Sequence, residues 1–372
     1  MKISLGKVAV LLAAWAFGIT PAVRAQGDRT NAVPEWRTDA RVARSLHMDL
    51  LGRPPLAAER ARSVGRPVAE VVDDMLASRE FWQRWFEEQL YYFLLVGNFR
   101  PQSERVLAIP DELAAGKLDP RVAIHRVALS TSFDQRNPGA DTFVTVVMEQ
   151  LTGLEVQKNT RELDIGKKVY DGNPGRFLGN DGSSQADVVR IAVESKAFAK
   201  HFVGREYERL VHKRPDSAEW NQAAGEFGRD PNAYRALVRR WVLSDAYRAR
   251  VEARVPVSNR LFVRGLFVDL MDRLPTDEES EPMRQALDGL SDPAPLRSVL
   301  VRMMLDSGKV ALPKRESIRD PAAWIGGEFE RLFGRPPSDV ESAAFVAGWN
   351  EPHCRVQTIL CALLSSAEYQ SY

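Results

Sequence analysis

Apolar residues recur at three- and four-residue intervals along most of the chain, the spacing that places them on one face of an α-helix. The pattern predicts helices over Arg37–Leu51, Val68–Ala77 and Phe81–Leu95, then Asp111–Ala115, Arg121–Leu129 and Thr142–Leu151. It resumes over Ala186–Val203, Glu206–Val211, Ser217–Phe227 and Ala233–Val251. After Pro256 it runs through Asn259–Met271, Glu278–Leu287, Pro295–Leu305, Ala322–Phe333, Asp339–Trp349 and Arg355–Leu364. The β-branched run Val144-Thr145-Val146-Val147 also suits a strand, but Asp141 can cap a helix there and Glu149 and Gln150 favour one. No alternating run argues for a sheet. Residues 171–184, with Gly172, Pro174, Gly175, Gly179 and Gly182, read as the longest irregular stretch. The expected fold class is therefore all-α: repeated helix-loop-helix units packed into two helical lobes, residues 26–255 and 256–372.

Two short patterns recur. One is a Ser followed by an aromatic, after an apolar run: Leu76-Ala77-Ser78-Arg79-Glu80-Phe81, Leu129-Ser130-Thr131-Ser132-Phe133, Glu194-Ser195-Lys196-Ala197-Phe198, Leu243-Ser244-Asp245-Ala246-Tyr247 and Leu364-Ser365-Ser366-Ala367-Glu368-Tyr369. A degenerate copy reads Leu305-Asp306-Ser307-Gly308-Lys309-Val310. The Ser is expected to cap a short helix through its side-chain oxygen, with the aromatic packed back on the core. The other pattern precedes it: Leu51-Gly52-Arg53-Pro54-Pro55 with Glu59, Lys213-Arg214-Pro215-Asp216 with Glu219, Asp272-Arg273-Leu274-Pro275-Thr276 with Glu279, and Phe333-Gly334-Arg335-Pro336-Pro337-Ser338 with Glu341. Here one helix ends, and Pro and a capping residue begin the next with an acid in its first turn.

The paired patterns resemble the helical repeat domains of bacterial secreted and surface proteins related to phycobilisome linkers. Residues 46–95 also resemble the cytochrome-associated domain of planctomycete secreted proteins, through Leu51-Gly52-Arg53-Pro54-Pro55 and the ending Leu76-Ala77-Ser78-Arg79-Glu80-Phe81-Trp82-Gln83-Arg84-Trp85. The resemblance covers about half the chain and implies an architecture. It brings no catalytic residue with it, and the haem-binding motif that stands beside the planctomycete domain does not occur here.

The N-terminus carries a different signal. Lys2 and Lys7 precede an apolar run from Val8 to Ile19, and Val23 and Ala25 flank Arg24 before Gln26. This order is that of a secretory signal peptide, cleaved after residue 25, and the run is short for a membrane-spanning helix. Removing it takes away three basic residues and no acid, so the balance of 51 basic against 50 acidic residues turns slightly acidic. That balance argues against nucleic acid as a partner, and no later run is long enough to span a membrane. Of the two cysteines, Cys354 and Cys361 stand seven apart, too far for a bridge along one helix, and read as two small buried thiols.

Candidate chemistry is sparse. No paired metal-binding cysteines, H-E-x-x-H pair, G-x-S-x-G elbow or phosphate-binding glycine loop occurs. The loop residues Asp134, Arg136 and Asp141, and Asp171, Asn173, Asn180 and Asp181, are candidate ligand contacts, since long loops in compact domains are functional or disordered. The last four offer hard oxygens, but their spacing fails the helix–loop–helix calcium pattern. Trp82 and Trp85, one turn apart, are a candidate aromatic platform, set against burial in the core. The expected function is a non-enzymatic binding or assembly module of the bacterial envelope or cell surface, exported to the periplasm or beyond. Its partners would be other envelope or extracellular proteins, or a polysaccharide, and no cofactor or metal is implied. The alternative is an extracellular hydrolase acting on a polymer, with its site in loops 133–142 and 170–185.

Overall fold

The computed structural model describes residues 36–94 and 103–372. The signal-peptide reading of residues 1–25 lies outside the described residues. No described helix is long and apolar enough to cross a membrane.

The recurring Ser serves two helices at once. Ser78 donates its hydroxyl to the carbonyl of Met75, at the end of one helix, and accepts from the N–H of Phe81 at the start of the next. Ser130, Ser195, Ser244 and Ser366 repeat both bonds, to the carbonyl three residues back and the N–H three residues on. Each cap thus satisfies one orphan carbonyl and one orphan N–H at a helix junction. The aromatics that follow, Phe81, Phe133, Phe198, Tyr247 and Tyr369, are all buried, as expected. In the last copy Ser366 caps a single turn.

Four units of three helices follow, and all but the third end on this junction. The first has α1 (Ala40–Leu50), α2 (Ala57–Ser63) and α3 (Val68–Ala77), and Ser78 then opens the long α4 (Arg79–Leu94). An intervening segment follows: α5 (Glu104–Leu107), α6 (Ile109–Ala114), α7 (Pro120–Ala128), α8 (Thr131–Arg136), α9 (Gly139–Val146), α10 (Thr160–Tyr170) and α11 (Gln185–Glu194). The second unit is α12 (Lys196–Val211), α13 (Ser217–Arg229) and α14 (Tyr234–Val242), from which Ser244 opens α15 (Asp245–Ala253). The third is α16 (Asn259–Met271), α17 (Asp277–Asp288) and α18 (Ala294–Asp306), and the fourth α19 (Pro321–Phe333), α20 (Asp339–Asn350) and α21 (Val356–Leu364). The first helix of every unit ends on a left-handed residue: Gly52, His212, Asp272 or Gly334. Two of these must be glycine, since a Cβ would strike the Arg84 side chain at Gly52 and the Arg41 backbone at Gly334. A Pro lies three residues on in all four units, and the next residue caps the second helix. This alignment shifts one sequence reading: Lys213, not Arg214, stands where the other units have Arg53, Arg273 and Arg335.

The apolar core forms two clusters. One gathers residues from Val42 to Val251, the other Met48 with residues from Val257 to Tyr372. The third helices pack in pairs, α3 on α14 and α18 on α21. Trp82 and Trp85 lie inside the first cluster, stacked edge-on at 5.8 Å and each near Tyr234. They are core and not a surface platform, because the helix turns this apolar stripe inward.

Several local expectations change. The segments expected as single helices, Ala186–Val203 and Ala233–Val251, each break at a capping serine, Ser195 and Ser244. The separate helix expected over Glu206–Val211 is the end of α12, and α10 is not among the expected helices. Residues 175–182 form a hairpin of β1 (Gly175–Phe177) and β2 (Asn180–Gly182), with the buried Phe177 as its anchor. Leu178 and Gly179 both take positive φ, the geometry of a two-residue hairpin turn. The Thr142–Leu151 segment is helical, but it opens at Gly139, so Asp141 lies inside the first turn and pairs with Lys167 at 2.8 Å instead of capping. Beyond Val146 the β-branched run widens into a π-helical turn, Val147–Thr152. Cys354 is buried in the turn after Pro352 and Cys361 half-buried on α21, both as free thiols.

Cap and core should respond differently to truncation. Ser78→Ala is expected to cost about 0.5–2 kcal/mol and Phe81→Ala about 3–5 kcal/mol. Urea denaturation reads both, and equal midpoints for Phe81→Ala and wild type would contradict the packing. Acid should weaken the fold in two stages. Burial lowers the pKa of His47, His125 and His212, and burial and Arg205 take His201 to about 4. The unfolded chain therefore binds more protons, and stability is lost as pH falls from about 6.5 towards 4. Glu279 and Glu341, held at about 2 by Arg273 and Arg335 with a backbone N–H each, extend the loss below pH 4.5. A urea midpoint that stays level from pH 7 to pH 5 would rule out the first stage.

Candidate functional site

The two loop segments proposed from sequence do come together. Gln185 donates to Asp134 at 2.9 Å, and the rings of Phe143 and Tyr170 lie 5.2 Å apart. Yet Asp134 and Arg136 sit on the short α8, exposed, and Asp171 and Asn173 follow α10 into solvent. Asn180 reaches only the Leu178 carbonyl, and Asp181 pairs with Arg176 across the hairpin as a strand partner. No three metal-ligating side chains gather among the described residues. Neither segment lines the cavities described next.

The strongest chemistry lies in the repeat itself. Arg53 donates from Nε and Nη2 to Glu80 at 2.5 and 2.7 Å, and from Nη1 and Nη2 to Glu59 at 2.5 and 2.8 Å. Its remaining N–H takes the carbonyl of Pro54 at 3.1 Å. Arg335 repeats this on Glu341, Glu368 and the carbonyl of Pro336. Each arginine thereby joins the two sequence patterns, and the first-turn Glu also holds the N–H of the capping residue. Burial works to lower the pKa of Arg53, but Glu59 and Glu80 raise it above the usual arginine value. The second acid, Glu80 or Glu368, was visible in the sequence as a residue two after the Ser, but its partner was not.

A second network links unit to unit. Asp49 accepts from the Tyr247 hydroxyl at 2.7 Å, the Tyr372 hydroxyl at 2.6 Å and Arg250 at 2.9 Å, all buried. Asp269 accepts from the Tyr369 hydroxyl at 2.8 Å and from both ends of the Arg44 guanidinium at 3.2 and 2.9 Å. Arg209 donates to the carbonyl of Asp49 and Arg331 to that of Asp269. Their neighbours one turn back, Glu206 and Glu328, pair with them in turn. The first and second units are thus related to the third and fourth by an approximate two-fold repetition.

Cavities open beside both aspartates. One of about 260 Å³ lies between Asp49, Arg84, Arg209, His212, Arg260 and Tyr372. There burial and Arg264 lower Arg260 to about 10, an effect resisted by Glu87. A larger one, about 530 Å³, lies between Asp269, Arg273, Lys309, Trp324, Arg331 and Arg60. A third, apolar groove of about 520 Å³ separates α20 from α21, bordered by Ala344, Phe345, Gly348 and Ile359. None of these is lined by the candidate contacts proposed from sequence, although Arg273 and Lys309 belong to the recurring patterns.

Breaking the Asp49 network should separate a lost bond from an orphaned charge. Asp49→Ala leaves Arg250 buried without its counter-ion, and is expected to cost about 3–5 kcal/mol. Tyr372→Phe removes one bond to a charged acceptor, for about 1.5–3 kcal/mol. The two variants should be ranked by urea denaturation, and an Asp49→Ala protein as stable as wild type would show that the network does not hold the units together. No family model, curated protein or solved structure matches the chain.

Proposed function

We propose that this chain is an exported helical repeat protein that acts as a non-enzymatic binding or assembly module of the bacterial envelope or cell surface. One observation carries the reading: the fourth unit presents an apolar helix face that no described residue covers. Val340 on α20 is 79% exposed. Ala343, Ala344 and Ala347 continue its face as exposed positions, and the groove to α21 runs alongside. Helical arrays bury such faces against a neighbouring repeat, and terminal repeats that stand alone carry a polar outer face. An apolar outer face therefore favours a further protein surface as its cover. The charge–apolar–small order of residues 1–25 supports export, and the resemblance to secreted repeat modules points the same way.

The test places a photo-crosslinking residue at Val340, and as a control at Lys158 on the intervening segment, in protein returned to its native envelope. A defined crosslinked partner from Val340 alone, lost in Ala344→Glu, is expected. Equal labelling from both positions would overturn the assembly reading. Intact-mass analysis of the native protein retaining Met1–Ala25 would overturn export.

A further inference from the structure

The two halves of the repeat differ in one large respect. In the first half, Ser78 opens α4, which lies across the second unit. Phe81 stacks on Tyr234 at 6.4 Å, Trp85 meets Phe202 edge-on at 6.5 Å, and Gln89 donates to Glu206 at 3.0 Å. Glu80, in the first turn, completes Arg53. In the second half, Ser307 opens no helix. The chain runs on through Gly308 to a short 3₁₀ turn at Arg315–Ser317. Lys309 stands where Glu80 stands, and Val310 where Phe81 stands.

The surface that α4 covers nevertheless persists. Counting from the left-handed residues His212 and Gly334, Phe202 corresponds to Trp324, Glu206 to Glu328 and Val238 to Leu360. Trp324, Glu328 and Leu360 line the 530 Å³ cavity. Phe202 is 1% exposed under α4, whereas Trp324 is only half-buried. The rim is basic. Arg273 binds Glu279 through Nη1 and Nη2, but among the described residues no carboxylate reaches its Nε, the atom that takes Glu80 in the first unit. Arg60 and Lys309 carry no salt bridge among the described residues, and burial with the nearby Arg331 lowers the pKa of Arg60.

We infer that this cavity is an open seat for a helix of a partner protein, one that begins with an acidic residue and carries aromatic residues one turn apart. The acid would meet Arg273 Nε, Lys309 and Arg60, completing the arginine as Glu80 and Glu368 do in the first and fourth units. The aromatics would cover Trp324 and Leu360, as Trp85 covers Phe202. The chain's own α4 cannot supply this helix, because it is buried in the first half and tied to Arg53. The seat shares no residue with the apolar groove between α20 and α21, so the two surfaces stand or fall separately.

The probe is a fluorescein-labelled synthetic peptide with the sequence of residues 77–91, titrated against the full chain and read by anisotropy. Saturable binding is expected. Lys309→Glu combined with Arg60→Glu should weaken it at least tenfold, as should a peptide in which the residue matching Glu80 is Lys. Circular dichroism melting of the variant checks that the fold is intact, since both side chains lie outside the core. Absence of saturable binding by the folded wild-type protein would overturn the inference. So would binding indifferent to the charge reversals, which would place the peptide elsewhere. Competition by phenylacetate at the peptide's own affinity would also overturn it, since the site would then serve a small aromatic anion and not a helix.

Discussion

Arg53 is almost wholly buried, yet every one of its five N–H groups has an acceptor. A guanidinium taken out of water costs several kcal/mol unless its donors are met, and a half-satisfied one is worse than an apolar residue in its place. The solution constrains the whole unit. Glu59 must lie in the first turn of α2, the Pro54 carbonyl must turn back on the ring, and Glu80 must follow the Ser that ends α3. Three segments separated by up to 27 residues are thus fixed by one side chain. Pro in the turn contributes a carbonyl while removing an N–H that would itself need a partner. The fourth unit builds the same clasp around Arg335, which is less deeply buried, so its two acids work against a smaller desolvation cost.

The aspartate networks act one level higher. A clasp organises a unit, whereas Asp49 and Asp269 each receive the tyrosine that ends the following unit. Tyr247 and Tyr369 are therefore bifunctional: the ring packs in the core while the hydroxyl reaches across to an acid. Burial and the adjacent carboxylate push both phenols well above their usual pKa, which keeps them as donors at any working pH. Arg44 bonds Asp269 and Tyr372 bonds Asp49, so the ends of the described chain cross between the halves. The two apolar clusters are joined through these charged networks, in which Arg250 meets Asp49 through Nη2 while its Nε and Nη1 are buried without a hydrogen-bond partner among the described residues.

The periodicity made most of the longer helices legible, though it missed α10 and ran through the breaks at Ser195 and Ser244, and the Ser-to-aromatic spacing made the caps and their buried rings legible, because both are local. The hairpin at 175–182 escaped notice because its strands are three residues long and its signal is a pair of positive-φ turn residues, Leu178 and Gly179, only one of them glycine. Trp82 and Trp85 were ambiguous for a different reason. A helix with aromatics one turn apart looks the same in sequence whether it faces a core or a partner, and the decision rests on Phe202 and Tyr234, more than 110 residues away. The cavities were invisible for that reason too. Lys309 announces itself only by comparison with the first and fourth units, where the residue two after Ser, Glu80 or Glu368, completes an arginine.

The intervening segment separates the two kinds of rule. Ser130 and Ser195 carry the same double bond and the same buried aromatic as the caps of the units, yet Ser130 has no clasp before it. A cap needs only the three residues on each side of it, so any pair of consecutive helices can adopt it at small entropic cost. The clasp needs an arginine, a first-turn acid and a second acid brought from a distant junction, so it arises only where a whole unit is present. Copies of the cap therefore mark helix junctions, whereas the full clasp is confined to the first and fourth units, the second having Lys213 in place of the arginine and Ala246 in place of the second acid. The third unit keeps the bond from Ser307 to the carbonyl three residues back and its Arg273–Glu279 pair but lacks the second acid, so its arginine is closed on one side only.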